Sequence, residues 1–346
     1  MTEMKTIEPA RHGWQGMIDI PGDKSISHRS VMFAGLGDTP MHIKNFLHAA
    51  DCLSTVGVMR SLGTAIEFLN ENELIVTGKG LHGLSEPMNV LDAGNSGTTL
   101  RLMMGVLAPQ SFLSAFSGDA SLTRRPMRRV LLPLSEMGAR IYGRNANNNL
   151  PLVVVPTGGK LRGIHYKSPV ASAQVKSAIL LAGLYADAPT TVTEPYVSRN
   201  HTEQMLAGFG VRIERSGTSV TVFPVEDGGY RAPDEITVPG DISSAAYFLV
   251  AGSIIKDSRL CLNNVGINPT RTGILDVLRE MGAHISVQNE RESGGERVAD
   301  LFVESASLHG VSFGAEIMPR LIDEIPILAV AALFAEGDTV ITGAGE

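Results

Sequence analysis

One pattern recurs along the chain and limits its fold more than any other feature: a small polar cluster followed at once by an apolar helix rich in Ala and Gly. It reads DKSISHRSVMFAG from Asp23, NSGTTLRLMMG from Asn95, SAQVKSAILLAG from Ser172, GDISSAAYFLVAG from Gly240 and IDEIPILAVAALFA from Ile322. Aligned on helix ends at Gly35, Gly105, Gly183, Gly252 and Ala332, the copies return roughly every 70 to 80 residues, a longer period than solenoid repeats use. The chain is therefore a series of sizeable duplicated modules.

A second mark falls between the copies, where an amphipathic helix ends at a Gly and leads into an alternating strand: MRSLGTAIEF at Gly63, LSEMGARIY at Gly138, MLAGFGVRIE at Gly210 and LREMGAHISV at Gly282. Gly suits the residue just past a helix because it takes positive φ without a Cβ penalty. The apolar–polar alternation that follows reads as a half-buried strand, with further strands in ELIVTG, PLVVVPT, SVTVFPV and ADLFVES. Each module thus reads strand, apolar helix, strand, amphipathic helix and two more strands. Segments such as 178–184 and 327–334 are apolar on every side, and a helix without a polar stripe is expected to be enclosed by protein. Helices inside and sheets outside make an inverted α/β arrangement whose helix starts, and with them the polar clusters, converge on one end.

At 346 residues the chain exceeds one ordinary core, so two domains are expected. Hydrophobic residues make up 43% and charged residues 19%, a globular composition, and the net charge of -7 argues against binding to nucleic acid or to an anionic membrane. An anionic ligand must then meet a local basic cluster. Cys52 and Cys261 stand alone, with no spacing for a disulfide framework or a zinc site, so no metal is expected and a reducing cytoplasm fits best. No stretch is apolar for the length of a membrane span. His28, His48 and His201 read as surface or core histidines rather than ligands.

The run PGDKSISHR, Pro21 to Arg29, has the build of an anion site: free backbone N–H groups, hydroxyls and two cations at a helix start. It reads equally as a helix capped by Ser25 or Ser27 with Lys24 and Arg29 simply exposed. Asn95, Gly97 and Thr98 lie at a second start, where Gly97 lets the backbone approach a ligand or where Asn95 is an ordinary N-cap. Asp323, ahead of Pro326, reads as a general base or as a cap. Arg124, Arg128 and Arg129 read as a solvated face.

These segments resemble the enolpyruvyl transferases, in particular those acting on shikimate 3-phosphate, from Gly13 to the last residue, with DKSISHR, DAGNSGTTLR and GDASLTRRPM carrying the likeness. The resemblance implies a two-domain inverted α/β barrel of repeated βαβαββ units. One domain would span 21–240 with three units and the shikimate 3-phosphate side; the other would hold 1–20 and 241–346, with the hinge near Pro239 and Gly240. Five of six units are recognised, and the Lys-Glu pair, Arg and Asp-His-Arg motif of relatives are not in the sequence. An incomplete second domain is expected to expose the 327–334 helix.

The implied reaction moves the enolpyruvyl group of phosphoenolpyruvate to the 5-hydroxyl of shikimate 3-phosphate, with no cofactor and in a monomer when complete. By resemblance, Lys24 touches both substrates and is the one proton donor left, Ser25 and Arg29 hold the shikimate ring, and Ser172 and the Ala173 backbone bind the 3-phosphate. Gln174 reaches toward phosphoenolpyruvate, which Arg125 grips beside Asn95, Gly97, Thr98 and Arg101; Arg199 is a phosphate contact and Asp323 the base. Relatives often carry Ser where Ala173 stands, which puts one hydroxyl contact in question. Glyphosate binds such enzymes in the phosphoenolpyruvate position. The sister enzyme that uses a UDP-sugar is the alternative, but its reactive Cys is Ala120 here. A binder of shikimate 3-phosphate without turnover is the third reading.

Overall fold

The computed structural model describes residues 12–226 and 228–345. They fall into two compact units, each with its own hydrophobic core. The larger comprises Pro21–Pro239 and Glu292–Glu296, and the smaller comprises 12–20, Gly240–Arg291 and 297–345. Among the described residues no helix is long and apolar enough to cross a membrane.

The helices that matter here are α1 (Lys24–Gly35), α2 (Ala50–Ser61), α3 (Gly97–Leu107), α4 (Arg128–Glu136), α5 (Ala173–Gly183), α6 (His201–Gly208), α7 (Ile242–Ile254), α8 (Gly273–Glu280) and α9 (Ile325–Leu333). The larger unit has three four-stranded sheets of one design, in which two parallel strands are followed by an antiparallel pair. Their orders are Glu235–Thr237, Pro40–Lys44, Glu73–Thr77, Ala65–Asn70; Leu91–Asp92, Ser114–Ser117, Asn149–Val155, Arg140–Gly143; and His165–Lys167, Thr190–Thr193, Ser219–Val222, Ile213–Ser216. The smaller unit repeats the design once, in the order Gln15–Asp19, Arg259–Gly266, Glu296–Glu304, His284–Ser293, and adds a short parallel pair, Ser312–Phe313 with Val340–Ile341.

The module order read from the sequence departs from the sheets at one point. Gln15–Asp19 runs into α1 but pairs with Arg259–Gly266, the strand after α7, while Glu235–Thr237 runs into α7 but pairs with Pro40–Lys44, the strand after α1. The two modules have exchanged their leading strands. A parallel neighbour satisfies the ladder whichever stretch of chain supplies it, so a repeat read linearly cannot reveal the exchange.

α1, α3 and α5 form the interior of the larger unit, buried over Ile26–Gly35, at most positions of Gly97–Leu107 and over Val175–Gly183. The Gly that closes each apolar helix serves close packing. A Cβ on Gly105 would sit 2.1 Å from the Ala178 carbonyl oxygen, so α3 and α5 meet backbone to backbone. The second mark behaves as the C′ signal requires: Gly63, Gly138, Gly210 and Gly282 have φ of +91°, +98°, +85° and +90°.

Three capping expectations are corrected. Asp23, not Ser25 or Ser27, caps α1, its carboxylate accepting the Ile26 N–H at 2.9 Å. Ser96, not Asn95, caps α3 by accepting the Thr99 N–H at 3.1 Å. Asp323 is not the residue at the start of α9: it lies in a 3₁₀ turn, Ile322–Glu324, and Glu324 precedes the helix. Asp23 and Ser96 cap because their non-helical backbone, with ψ of 126° and 97°, turns the side chain toward the first free N–H groups.

Residues 327–334 lack the enclosure that a wholly apolar helix calls for and are largely exposed, the other outcome expected for this helix. Only Leu328 and Ala331 of α9 are buried, whereas Leu333 is 83% and Phe334 62% exposed, with Tyr247 on α7 at 58%. This apolar surface is expected to bind a hydrophobic dye such as anilinonaphthalene sulfonate. Replacing Leu333 and Phe334 together by Ser should cut that fluorescence by at least half without lowering the melting temperature, and unchanged fluorescence would place the dye elsewhere.

Candidate active site

The polar clusters of the larger unit lie at the starts of α1, α3 and α5, and side-chain hydrogen bonds tie these three starts together. Arg29 of α1 donates from Nη2 to Ser177 Oγ on α5 (2.9 Å), from Nε to Thr202 Oγ1 on α6 (2.7 Å), and from Nη1 back to the Ser25 carbonyl (2.9 Å). Ser177 and Thr202 are themselves bonded at 2.7 Å. Between α1 and α3 runs a buried relay: His28 Nδ1 to Thr55 Oγ1 (2.7 Å), Thr55 to Thr99 Oγ1 (2.7 Å), and Thr99 to Ser96 Oγ (2.8 Å). Between α3 and α5, Gln174 Nε2 donates to Thr98 Oγ1 at 3.1 Å while its Oε1 accepts from Arg101.

Two guanidiniums crowd the start of α3. A Cβ on Gly97 would lie 3.3 Å from Arg101 Nη1 and 3.4 Å from Arg125 Nη1. Arg125 is steered there by Asn95, whose Oδ1 accepts from Arg125 Nη2 at 2.6 Å and whose Nδ2 donates to Asp119 Oδ2 at 2.5 Å. Hydrogen bonds from the Leu122 N–H and from Asn95 lower the Asp119 carboxyl below its ordinary range. Burial lowers the Arg101 guanidinium from its usual value, and the like charges of Arg125 and Arg129 add to the effect. Arg129, read from sequence as only a solvated residue, is exposed but its field reaches this site. A helix start that carries free N–H groups and two mutually repelling cations is built to accept an anion.

The other expected residues are distributed as follows. The Lys24 side chain is half exposed, 3.4 Å from Asp51 Oδ2. Arg29 is 4% exposed, and burial lowers its guanidinium to about 10, so it stays charged at neutral pH. Ser172 caps α5 through the Val175 N–H at 3.5 Å, with Ala173 as the first helical residue, and Arg199 lies half buried in the loop before α6. Asp323, exposed, belongs to the smaller unit.

Residues 10–346 match the sequence model of the family described as EPSP synthase (3-phosphoshikimate 1-carboxyvinyltransferase). The chain is 54% identical over 343 residues to the 3-phosphoshikimate 1-carboxyvinyltransferase of Bacillus anthracis (strain A0248), covering 99% of this chain and 78% of the relative, and 53% identical over the same shares to that of Bacillus cereus (strain 03BB102). This chain belongs to the EPSP synthase family. A solved EPSP synthase from Acinetobacter baumannii superposes with a TM-score of 0.90 at 44% identity, over 98% of this chain and 76% of that one. The enolpyruvyl transferase NikO from Streptomyces tendae, at 16% identity and a TM-score of 0.73 over 96% and 76%, shares the fold. The inverted α/β architecture of repeated units expected from the sequence is thus the fold of the EPSP synthase family.

In this EPSP synthase family member, several residues that organise the site escaped the sequence reading: Asp51, Ser96, Asp119, Lys176, Ser177, Glu194, Ser198 and Thr202. One signal was available, since Lys176 is the lone charge in the apolar run VKSAILLAG. Glu194 and Thr202 carried none, because their partners are distant in sequence.

The His28 relay makes the fold pH-sensitive. Burial, then the charges of Arg29 and Lys24, hold the imidazole down at about 3 from an ordinary 6.5. Its Nε2 has no hydrogen-bond partner among the described residues, consistent with a neutral ring. As pH falls below 6.5 the unfolded chain takes up a proton that the folded chain refuses, so this contribution is complete above 6.5 and is lost as pH falls toward 3. Between pH 7 and pH 5 the loss is about 2 kcal/mol. His28→Asn, which cannot titrate, should therefore lose less melting temperature than the parent over that interval; parallel curves would remove His28 as the cause.

Proposed function

We propose that the chain transfers the enolpyruvyl group of phosphoenolpyruvate to the 5-hydroxyl of shikimate 3-phosphate, releasing inorganic phosphate. The observation that carries this reading is Gln174. It stands beside Ser172 and Ala173 at the start of α5 yet bonds Arg101 and Thr98 at the start of α3, so one side chain couples two helix starts built for anions.

On this reading α5 takes the 3-phosphate through Ser172 and the Ala173 N–H, helped by Arg199, while Ser25 and Arg29 serve the shikimate ring. The Arg29 bond to the Ser25 carbonyl supports that pairing, because it fixes the turn that carries Ser25. Phosphoenolpyruvate lies at α3, against Arg125, Arg101, Asn95 and the Gly97 and Thr98 backbone, with Lys24 serving both substrates. Charge-assisted bonds of about 1.5–3 kcal/mol each are what an acidic protein needs to hold two polyanions.

The chemistry then follows from proton placement. The 5-hydroxyl oxygen bonds to C2 of phosphoenolpyruvate and its proton passes to the Asp323 carboxylate, while the methylene carbon C3 gains a proton, with Lys24 as donor. In the second half the C2–O bond to phosphate breaks, the electron pair leaves with phosphate, and C3 gives up a proton to restore the double bond. Cations gathered at the α3 start stabilise the departing charge without rearranging.

Phosphate release should require both substrates together. Heat of binding with shikimate 3-phosphate but no release would instead leave a binder, and release with a UDP-sugar would move the chain to the sister activity, which Ala120 in place of a Cys disfavours.

Gly97→Ala brings a methyl against Arg101 and Arg125, and both must yield by a few tenths of an ångström. Glyphosate, longer than phosphoenolpyruvate, should lose about tenfold in inhibition while KM for phosphoenolpyruvate rises less. Inhibition constants equal to the parent's would take Gly97 out of the site.

A further inference from the structure

Behind the start of α5 lies a buried ionic cluster of Lys176, Glu194 and Glu203, none of which is itself an assigned substrate contact. Glu194 Oε1 accepts the Ser172 N–H at 2.8 Å. Its Oε2 accepts the Ser198 hydroxyl at 2.8 Å and the Ser198 N–H at 3.4 Å. Lys176 Nζ closes on the same oxygen at 2.8 Å, on Glu203 Oε1 at 2.9 Å and on the Ser198 carbonyl at 3.3 Å. The Lys176, Glu194 and Glu203 side chains are each 3–4% exposed.

From this geometry we propose that Glu194, held in place by its ion pair with Lys176, is a positioning residue for the phosphate end of shikimate 3-phosphate. It fastens the cap of α5 to the loop that carries Arg199. The inference rests on the reading above, in which Ser172, Ala173 and Arg199 meet that phosphate.

The physical argument has two parts. Ser172 and Arg199 come from segments separated by a whole strand, Thr190–Thr193, and the outer side of the loop before Arg199 packs on little, with Tyr196 58% and Val197 47% exposed. A single carboxylate that bonds both Ser172 and Ser198 fixes their separation, and a phosphate gripped from two sides needs that separation set in advance. A carboxylate so placed would also repel the phosphate. Lys176, whose ammonium bonds the very oxygen that holds Ser198, lowers that penalty while also serving Glu203, and the nearby charge of Arg29 offsets the second carboxylate. A buried ionic cluster that merely specified the fold would show no preference for one substrate.

The test uses the full chain, with calorimetry of shikimate 3-phosphate and steady-state kinetics for both substrates. Glu194→Gln keeps the volume but has a single acceptor oxygen, so it cannot accept from Ser172 and Ser198 at once, and should weaken shikimate 3-phosphate binding about tenfold, with KM for phosphoenolpyruvate changed less than about twofold. Glu194→Asp retains the charge that buried Lys176 requires, so it folds where the Gln variant fails, yet it is too short to span both segments and should show the same split. Glu203→Gln disturbs the same buried charges but contacts neither Ser172 nor Ser198, and should weaken binding less than either change at Glu194.

Unaltered affinity in Glu194→Asp, equal losses for both substrates, or a Glu203→Gln effect as large as that at Glu194 would each overturn the inference. Failure of the underlying site reading looks different: the parent gives no heat with shikimate 3-phosphate, or Ser172→Ala and Arg199→Ala bind it as the parent does.

Discussion

The close packing of α3 on α5, where Gly105 rides on the Ala178 carbonyl, is the constraint from which the larger unit follows. Helices that approach at the backbone leave no interior space for polar groups along their lengths, so hydrogen-bonding capacity is displaced to their ends. There the sequence supplies Asp23, Ser96 and Ser172 as caps, and the remaining side chains bond from one helix start to the next. The site is the consequence of burying helices rather than an addition to the fold. Three positive dipole ends in one unit make a shared anion field at no cost in surface charge.

Within that field the cations divide into two kinds. Lys24 and Arg125 are partly solvated, and Arg101 is lowered by burial and then by the like charges of Arg125 and Arg129. These groups gain most when an anion arrives. Arg29 and Lys176 are buried and already matched by hydroxyls or carboxylates, so their contribution is geometry more than attraction. Breaking either leaves an uncompensated group in a low-dielectric interior, which costs several kcal/mol. Exposed cations in a site can therefore be exchanged at modest cost to folding, while the buried ones cannot.

Much of the architecture was legible because it depends on local chemistry repeated at intervals. The Gly at 63, 138, 210 and 282 announces positive φ, and each apolar run announces a helix that must find a partner. What could not be read depends on pairing between distant segments. The exchanged leading strands look the same in the residue pattern as unexchanged ones, since parallel pairing does not record which connection supplies the strand, and only the family resemblance grouped 1–20 with 241–346. The caps were misread by one to four residues because Asp23, Ser25 and Ser27, or Asn95 and Ser96, are chemically equivalent candidates until the backbone turn selects one. For 327–334, wholly apolar composition signals a need for burial but does not say what provides it, and Leu333 and Phe334 are exposed.

The same distinction governs the site. Residues in a contiguous motif, such as Lys24 with Arg29 or Asn95 with Gly97, were visible as candidates because a helix start brings them together by itself. Glu194 was invisible because its meaning lies in where Ser172 and Ser198 end up, 22 residues and four residues away in sequence. Lys176 should have drawn notice, since an ammonium in an apolar helix implies a buried counter-charge whose location is a question about tertiary structure. A charged residue that breaks the apolar pattern of an interior helix is thus a pointer toward the group that organises the neighbouring site. Following it from Lys176 leads to the carboxylate that joins the α5 cap to the Arg199 loop.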